Sequence, residues 1–458
     1  MAEPNFINRT LYHGDNLKFL RGINSETVDL IATDPPFNKN RDFHATPDSL
    51  AAGAKFQDRW SWERDVHQDW IDQITDDYPR LMEAIESARY AHSDGMGAFM
   101  CFMAVRLLEM WRVLKPTGSL YLHCDPTASH YLKAVLDAIF GWNNFRNEVI
   151  WHYKSFHGQT KRYFAKKHDT FLVYSKSSGW TFNRLFEDDN SGTIDFKRWR
   201  KYLVDGRYIY GRNMPVQDSR FVRFLNRWRR ENGREPGSDD LVYEVQGQAL
   251  DTVWHMKPVD PKDKTERLGY PTQKPLALYR RIILASSNDG DIVFDPFCGC
   301  ATTPVAAERL GRQWVGIDIW DKAHEVVVDR LKNEVGLFGE VHYSTEPPTR
   351  TDDAQPAAPF LRVKQVHEPP GPKMSRAEMY AHLLEQHGAR CQGCYRDFDD
   401  PRYLQLDHNV PRSDGGLNHI SNRVLLCGPC NRLKSNIYTL SGLRRQNKKL
   451  GYMNKDLI

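Results

Sequence analysis

A chain of 458 residues favours two or three domains and can bury at least one large core. The formal net charge of +4, with 27% charged and 12% aromatic residues, is that of an ordinary globular protein and singles out no class of partner. An apolar run of about 18 residues is absent, so no helical membrane span or membrane partner is expected; the polar segment Met1–Thr10 lacks a signal-peptide pattern, and a cytoplasmic chain with reduced cysteines is the expectation.

Residues 11–37 read as a short strand, a turn, a helix and a second strand. The apolar run Val28–Ala32 stops at Thr33-Asp34-Pro35-Pro36-Phe37, because two prolines end any strand or helix. Asp34 is left at the carboxyl end of a strand, where open α/β sheets hold their ligands. Residues 38–95 are polar, with a helical stretch late in the segment. Ala98–Leu114 reads as an amphipathic helix closed by Lys115-Pro116-Thr117-Gly118, Ser119–His123 as a strand and His130–Phe140 as a helix. Glu148–Tyr153 and Thr170–Tyr174 are two further strands. The rhythm breaks over residues 180–265. It resumes with a helix (Pro275–Ser286), a strand (Ile292–Asp295), a helix (Thr302–Leu310) and a strand (Trp314–Ile317). This alternation predicts a Rossmann-like α/β unit with a mostly parallel sheet over residues 1–343, carrying an insert at about 180–268. Residues 344–374 contain seven prolines and read as a linker. A compact unit with four of the eight cysteines follows over 375–458.

The stretch Phe294-Asp295-Pro296-Phe297-Cys298-Gly299-Cys300-Ala301-Thr302 joins a strand to a helix, and Gly299 permits close approach of a ligand to the backbone. About twenty residues on, Val315-Gly316-Ile317-Asp318 ends the next strand with an acid suited to ribose hydroxyls. Alone, this pattern is also that of any tight turn in an α/β protein.

Together with Asp34-Pro35-Pro36-Phe37 it resembles the amino-methyltransferases that act on DNA. Thr272-Gln273-Lys274-Pro275 resembles that family's helix beneath the methionine part of the cofactor, and His13-Gly14-Asp15 its contact to the cofactor adenine. The catalytic motif precedes the cofactor motif, as in the family's beta group, and the resemblance spans about residues 10–335. It implies that Asp15, Thr272, Lys274, Asp295, Phe297, Gly299 and Asp318 hold S-adenosylmethionine. An amino nitrogen on adenine or cytosine is a poor nucleophile, because its lone pair is delocalised into the ring. The resemblance makes Asp34 and the carbonyl of Pro35, in the loop completed by Pro36, acceptors of the two N–H bonds, which frees the lone pair for the methyl group. Phe37 would stack on a base flipped out of double-stranded DNA, with core packing as the alternative. In this family aspartate before Pro-Pro accompanies adenine-N6 enzymes and serine accompanies cytosine-N4 enzymes, so adenine is expected and cytosine is the alternative. Ala301 stands where the family commonly has glycine, a change that costs little if its φ is negative.

Within the insert, Lys197, Arg198, Arg200, Lys201, Arg207, Arg212, Arg220, Arg223, Arg227, Arg229, Arg230 and Arg234 interleave with Trp199, Tyr202, Tyr208, Tyr210, Phe221, Phe224 and Trp228. Its place between the two halves is that of the family's target-recognition region. Cations there can neutralise phosphates and read guanine edges, and aromatics can stack on bases. A solvated helix face with packed aromatics is the plainer reading.

Cys391-Gln392-Gly393-Cys394 and Cys427-Gly428-Pro429-Cys430 are two knuckles whose thiolates suit a closed structural Zn²⁺ site, with redox-active cysteines as the alternative. Between and after them lie Asp407-His408-Asn409-Val410-Pro411, Gly415-Gly416, Asn422 and Asn431. This resembles the HNH (ββα-metal) endonucleases over about residues 375–440. The resemblance makes His408 the base that activates water, Asn422 the residue that fixes its loop, and Asp407 with Asn431 the ligands of Mg²⁺ or Mn²⁺. Asn431 stands where many members have histidine.

The expected function is thus a site-specific DNA adenine-N6 methyltransferase fused to a metal-dependent endonuclease, a single-chain restriction–modification enzyme of a bacterium, archaeon or phage. Beta-group relatives are often dimers, so a homodimer is an expectation. The competing readings are a zinc module that only binds DNA, and a nuclease whose first half senses methylation without turnover.

Overall fold

The protein is seen in a computed structural model that describes residues 3–45, 49, 51–52, 55–56, 58–153, 162–210, 215, 217–237, 240, 242–260, 262–263, 266–270, 272–320, 322–331, 340–352, 374–410, 418–435 and 438–453. Arg212, Pro411, Gly415, Gly416 and linker residues 353–373 lie outside the described residues.

Nine strands form one sheet: β1 (Thr10–His13), β2 (Val28–Thr33), β3 (Leu114–Cys124), β4 (Phe145–His152), β5 (His168–Ser175), β6 (Val253–His255), β7 (Ile292–Asp295), β8 (Gln313–Asp318) and β9 (His342–Ser344). Their spatial order is β6-β4-β5-β3-β2-β7-β8-β1-β9. β5 runs antiparallel to both neighbours, and the other pairings are parallel. The mostly parallel α/β sheet expected from the alternation is therefore present. Central strands feed both faces: Ile31 enters the core on one side, Leu30 and Ala32 the core on the other. The chain leaves β2 toward β3 on one side and β7 toward β8 on the other. The carboxyl ends of β2 and β7 thus flank a switch point, where a crevice opens.

Three elements depart from the sequence expectation for physical reasons. The helix Asp94–Val113, capped by Ser93, is buried nearly all round and not only on one face, because it lies under the sheet and is covered by the helices Pro79–Ala91 and Ser129–Phe140. The segment Lys115–Gly118 does not merely close that helix; it is absorbed into β3 at a register shift against β2. In residues 38–95 the helices are Trp62–Asp65, Gln68–Asp77 and Pro79–Ala91, and Ile74, Leu81, Ile85 and Ala88 face the core.

The insert has its own small core of Trp199, Ile209, Phe221 and Val245, built from a hairpin (Tyr208–Tyr210 with Val242–Glu244) and the helix Ser219–Asn232. It ends earlier than residue 268: Val253–His255 pairs with β4 in the main sheet. The proline-rich linker also begins later than residue 344. Asp352 is buried and accepts from the Ser25 amide at 2.7 Å, and the Thr351 amide donates to Asn24 at 2.9 Å.

The C-terminal unit pairs β10 (Leu404–His408) antiparallel with β11 (Arg423–Cys427), followed by the helix Gly428–Lys434. The helix Arg376–His387 precedes it with a reciprocal Ser375–Glu378 capping box. The last helix, Leu440–Lys449, touches the first unit, where Arg445 pairs with Asp72 at 2.7 Å. Among the described residues no helix is long and apolar enough to cross a membrane.

Candidate active sites

A cleft of about 850 Å³ opens at the switch point. It is lined by Asp15, Asp34, Pro35, Pro36, Phe37, Thr272, Lys274, Asp295, Phe297, Gly299 and Asp318, so the topology brings together the residues expected to hold the cofactor and the target amino group. Two adjacent strand ends supply its two central acids. The Thr33 hydroxyl, from the end of β2, donates to Asp295 Oδ1 at 2.7 Å, and Thr303 Oγ1 donates to Oδ2 at 2.7 Å. Burial pushes the Asp295 carboxyl up to about 7, and these hydroxyls and the Phe297 amide offset only part of that. A cation entering the cleft, such as an amino-acid ammonium, would favour its ionised form.

Asp318 is engaged on both oxygens, by the Gly299 amide at 2.7 Å and the Trp320 amide at 2.8 Å; burial nevertheless raises its carboxyl. Gly299 has φ +50°, and a Cβ there would lie 3.1 Å from the Tyr270 ring. Ala301 has φ +62°, so the negative φ that would have excused its Cβ is not adopted. A left-handed alanine costs roughly 1 kcal/mol, set against a fully buried position in the core. Asp15 caps the helix Asn16–Gly22 through the Leu17 amide at 2.8 Å. Its partner is Arg106, which spans both carboxylate oxygens at 2.9 and 3.1 Å and reaches Asn16 at 2.6 Å. Burial lowers Arg106 to about 10 despite that pairing.

Asp34 is held between a lysine and a histidine. Lys274 Nζ donates to Oδ2 at 2.6 Å, and His123 Nδ1 lies 2.9 Å from Oδ1. Burial pushes the Asp34 carboxyl up, but Lys274 and His123 outweigh it and hold it at about 2. Asp34 is therefore an ionised hydrogen-bond acceptor across the neutral pH range. Lys274, expected beneath the methionine of a cofactor, lines the cleft and places its ammonium on Asp34. Phe37 is half-buried, edge-on to His123 with centroids 5.1 Å apart, and both Lys39 and Lys274 lie over its ring.

The loop after Asp34 is held by a residue that no motif marks. Buried Asp58 accepts from three successive amides, Phe37 at 3.3 Å, Asn38 at 2.6 Å and Lys39 at 2.8 Å. Lys39 in turn pairs with buried Asp125. The sequence offers only a weak signal for Asp58, an acid beside tryptophans in a polar segment. Arg106 and His123 sit inside a helix and a strand that read as ordinary core elements.

In the insert, Arg223, Arg227 and Arg230 are exposed and make no ion pair among the described residues. The aromatics largely depart from the expected stacking role: Trp199 and Phe221 are buried, and Phe224 and Trp228 pack on them.

In the C-terminal unit the Sγ atoms of Cys391, Cys394, Cys427 and Cys430 lie within 4.8 Å of one another. Cys394 and Cys427 are 3.9 Å apart, close to the ~3.8 Å that four Zn–S bonds of about 2.3 Å impose in a tetrahedron. The donor set therefore fits zinc. Asp407 and His408 end β10, and Asn422 grips the loop beyond them: its Oδ1 accepts from the Val410 amide at 2.7 Å and its Nδ2 donates to the Val410 carbonyl at 3.0 Å. Asn431, from the helix Gly428–Lys434, donates to Gln405 at 2.6 Å. Asp407 is paired not with Asn431 but with fully buried Lys434, at 3.1 Å. Arg423 Nη1 lies 3.2 Å from His408 Nδ1.

A doubly wound sheet with an acid on a Pro-Pro loop beside an acidic, glycine-bearing turn defines the S-adenosylmethionine-dependent methyltransferase fold; the ββα unit with a cysteine cage is a separate nuclease-type module. Residues 28–329 match the DNA methylase family and residues 391–436 the HNH endonuclease family. The chain belongs to the DNA methylase family and carries a C-terminal HNH endonuclease domain. It is similar to the type II methyltransferase M.HpaI of Haemophilus parainfluenzae, at 27% identity over 326 residues, 71% of this chain and 74% of that protein. The DNA adenine methyltransferase YhdJ of Escherichia coli (strain K12) is 27% identical over 342 residues, 74% of this chain and 85% of that protein. The solved M1.HpyAVI–SAM complex aligns over 70% of this chain and 99% of its own, with 19% identity and a TM-score of 0.33.

Proposed function

We propose that this chain is a single-chain restriction–modification enzyme: it transfers a methyl group from S-adenosylmethionine to adenine N6 in double-stranded DNA, and its HNH domain cuts DNA. The observation that carries the first half is the convergence of Asp34, held by Lys274, and buried Asp295, held by Thr33 and Thr303, at adjacent strand ends of one cleft. Asp295, Phe297, Gly299 and Asp318 line the cofactor side with Asp15 and Thr272, and the donor supplies an electrophilic methyl group when bound. Asp34 accepts one N–H of the flipped adenine and the Pro35 carbonyl the other. Both acceptors are fixed before reaction, which is where electrostatic stabilisation is most effective. Lys274 occupies Oδ2 of Asp34 and leaves Oδ1 for the target amino group. The exposed arginines of the helix Ser219–Asn232 supply phosphate contacts. The methyltransferase unit spans residues 1–352 and the nuclease unit 375–458.

Zinc in the cysteine cage organises the C-terminal core. Asp407 and Asn431 offer the oxygen donors that a hard Mg²⁺ or Mn²⁺ ion takes, and such an ion would stabilise charge on the scissile phosphate. His408 takes the proton of the attacking water. One module cuts one strand, and a homodimer on the duplex would cut both. A second reading, a module that binds DNA without cutting, is favoured by one observation: Lys434 already neutralises Asp407. The test is a crossed pair, Asp34→Ala and His408→Ala, assayed for methyl transfer and for Mg²⁺- or Mn²⁺-dependent cleavage. The proposal expects His408→Ala to methylate without cutting. Cleavage unchanged in His408→Ala would leave the nuclease assignment without support.

A further inference from the structure

His123 lies behind Asp34, on β3 beside β2, and its side chain is fully buried. One ring face stacks on Phe171, with centroids 4.4 Å apart and planes 9° from parallel; the edge of Phe37 meets it at 5.1 Å. Those contacts would be served equally well by an apolar ring. The two nitrogens are what packing does not explain. Nδ1 lies 2.9 Å from Asp34 Oδ1, and Nε2 lies 3.5 Å from Asp169 Oδ2 on β5. Both approaches are at ion-pair distance but out of line for a hydrogen bond. Such contacts commonly tighten once substrate is seated. The other oxygen of Asp169 accepts from the Tyr153 hydroxyl at 3.2 Å, which fixes that carboxylate. The charged and titratable groups facing the ring are therefore Asp34 after β2, Asp169 on β5, Tyr153 after β4 and the Lys274 ammonium on Asp34.

We infer that His123 is a positioning residue for methyl transfer, which orients Asp34 and receives through it the proton that the target amino group must lose. The inference rests on Asp34 as the acceptor of the amino N–H. As the N–CH₃ bond forms and the S–CH₃ bond breaks, the sulfonium becomes a neutral thioether and its positive charge passes to the amino nitrogen. That nitrogen releases one proton to Asp34, which passes it to Nδ1 of a neutral, Nε2-protonated His123. The imidazolium then sits between two carboxylates, with Asp169 stabilising its charge as the orienting acid does in an acid–histidine pair. When the methylated base leaves, the proton returns through Asp34 to water, and the ring keeps its tautomer.

The test is single-turnover methyl transfer from labelled S-adenosylmethionine to unmethylated plasmid DNA, with cofactor affinity measured separately. His123→Asn keeps a polar group beside Asp34 but cannot take a proton, and His123→Phe keeps the stack. Both are expected to lower the rate roughly 10²-fold, with cofactor Kd and KM for DNA essentially unchanged. Asp169→Asn, an isosteric change on the far side of the ring from Asp34, is expected to lower it several-fold and to leave folding intact. A wild-type rate in a folded His123→Phe or His123→Asn chain would overturn the inference. If neither folds, an unchanged rate in Asp169→Asn overturns it. Asp34→Ala is run beside them: an active Asp34→Ala chain would instead sink the reading of Asp34, independently of His123.

Discussion

The two catalytic regions of this chain are assembled in opposite ways. The methyltransferase cleft is built from residues far apart in sequence: Asp34 meets Lys274 across 240 positions, and Thr33 meets Asp295 across 262. Only the stacking of parallel strands brings them together, and large apolar cores on both sheet faces hold them there. The nuclease site lies within one short ββα unit whose core includes the four cysteines themselves. Sheet packing secures the first site, and a four-cysteine cage that fits zinc lies at the core of the second. Each should therefore fail under a perturbation that spares the other.

The largest separation is expected from the metal cage. Chelation, or Cys427→Ala, removes a site whose binding energy is also folding energy, on the order of 10 kcal/mol in small zinc units. Cleavage should disappear and residues 375–458 become protease-sensitive, while methyl transfer stays within about twofold on the scale of ordinary surface effects. Bound zinc by mass spectrometry and limited proteolysis check this outcome. In the other direction, Asp34→Ala should lower methyl transfer by about 10³-fold and leave the cysteine cage intact. Asp58→Asn tests the loop clamp. Losing a buried charge that holds three amides costs roughly 1–3 kcal/mol, so kcat should fall about 10- to 100-fold with cofactor Kd little changed.

Asp295 sharpens the comparison through pH, because its buried carboxyl belongs to the sheet unit alone. Burial pushes its carboxyl up to about 7, so at pH 6 it is mostly protonated. A bound ammonium requires the ionised form, so cofactor binding releases a proton. Affinity should then rise roughly tenfold from pH 6 to pH 8 and level off above. For stability the sign is reversed: burial favours the protonated acid in the fold, so stability in this group is lost as pH rises through the window from 3.8 to about 7. Isothermal titration across that range checks the affinity; a flat profile would remove Asp295 from the cofactor side. The smallest effect is Ala301→Gly. It relieves a left-handed alanine worth roughly 1 kcal/mol and should raise the Tm of the sheet unit by about 2 °C, without moving that of the zinc unit.

Much of the fold was legible because its signals are local. Pro35-Pro36 ends β2 whatever surrounds it, alternating apolar runs set the strands, and paired CxxC knuckles announce their cage. The orientation of β5 and the sheet position of Val253–His255 were not legible, since both are decided by which neighbours remain to pair. The site divided along the same line. Asp34 and Asp295 stand in turns with strong sequence signatures. Asp58, Arg106 and His123 act through contacts made across 19 to 91 positions, and nothing beside them in the chain records those contacts. Lys434 pairs with Asp407 across the ββα unit, a contact set by the helix packing on the hairpin. The aromatics of the insert misled because a core of four residues and a stacking platform use the same residue types.

The most direct test of the central claim, that one chain joins an adenine-N6 methyltransferase to a separable nuclease, is a methylome. The His408→Ala chain is expressed in a host without DNA methylation, and modified bases are mapped across the genome by single-molecule sequencing. N6-methyladenine at one recurring motif is the expected result, and it would supply the substrate for measuring cleavage by the intact chain. N4-methylcytosine at that motif would contradict the choice of base. No modified base, from a chain shown to be folded and expressed, would contradict the methyltransferase itself.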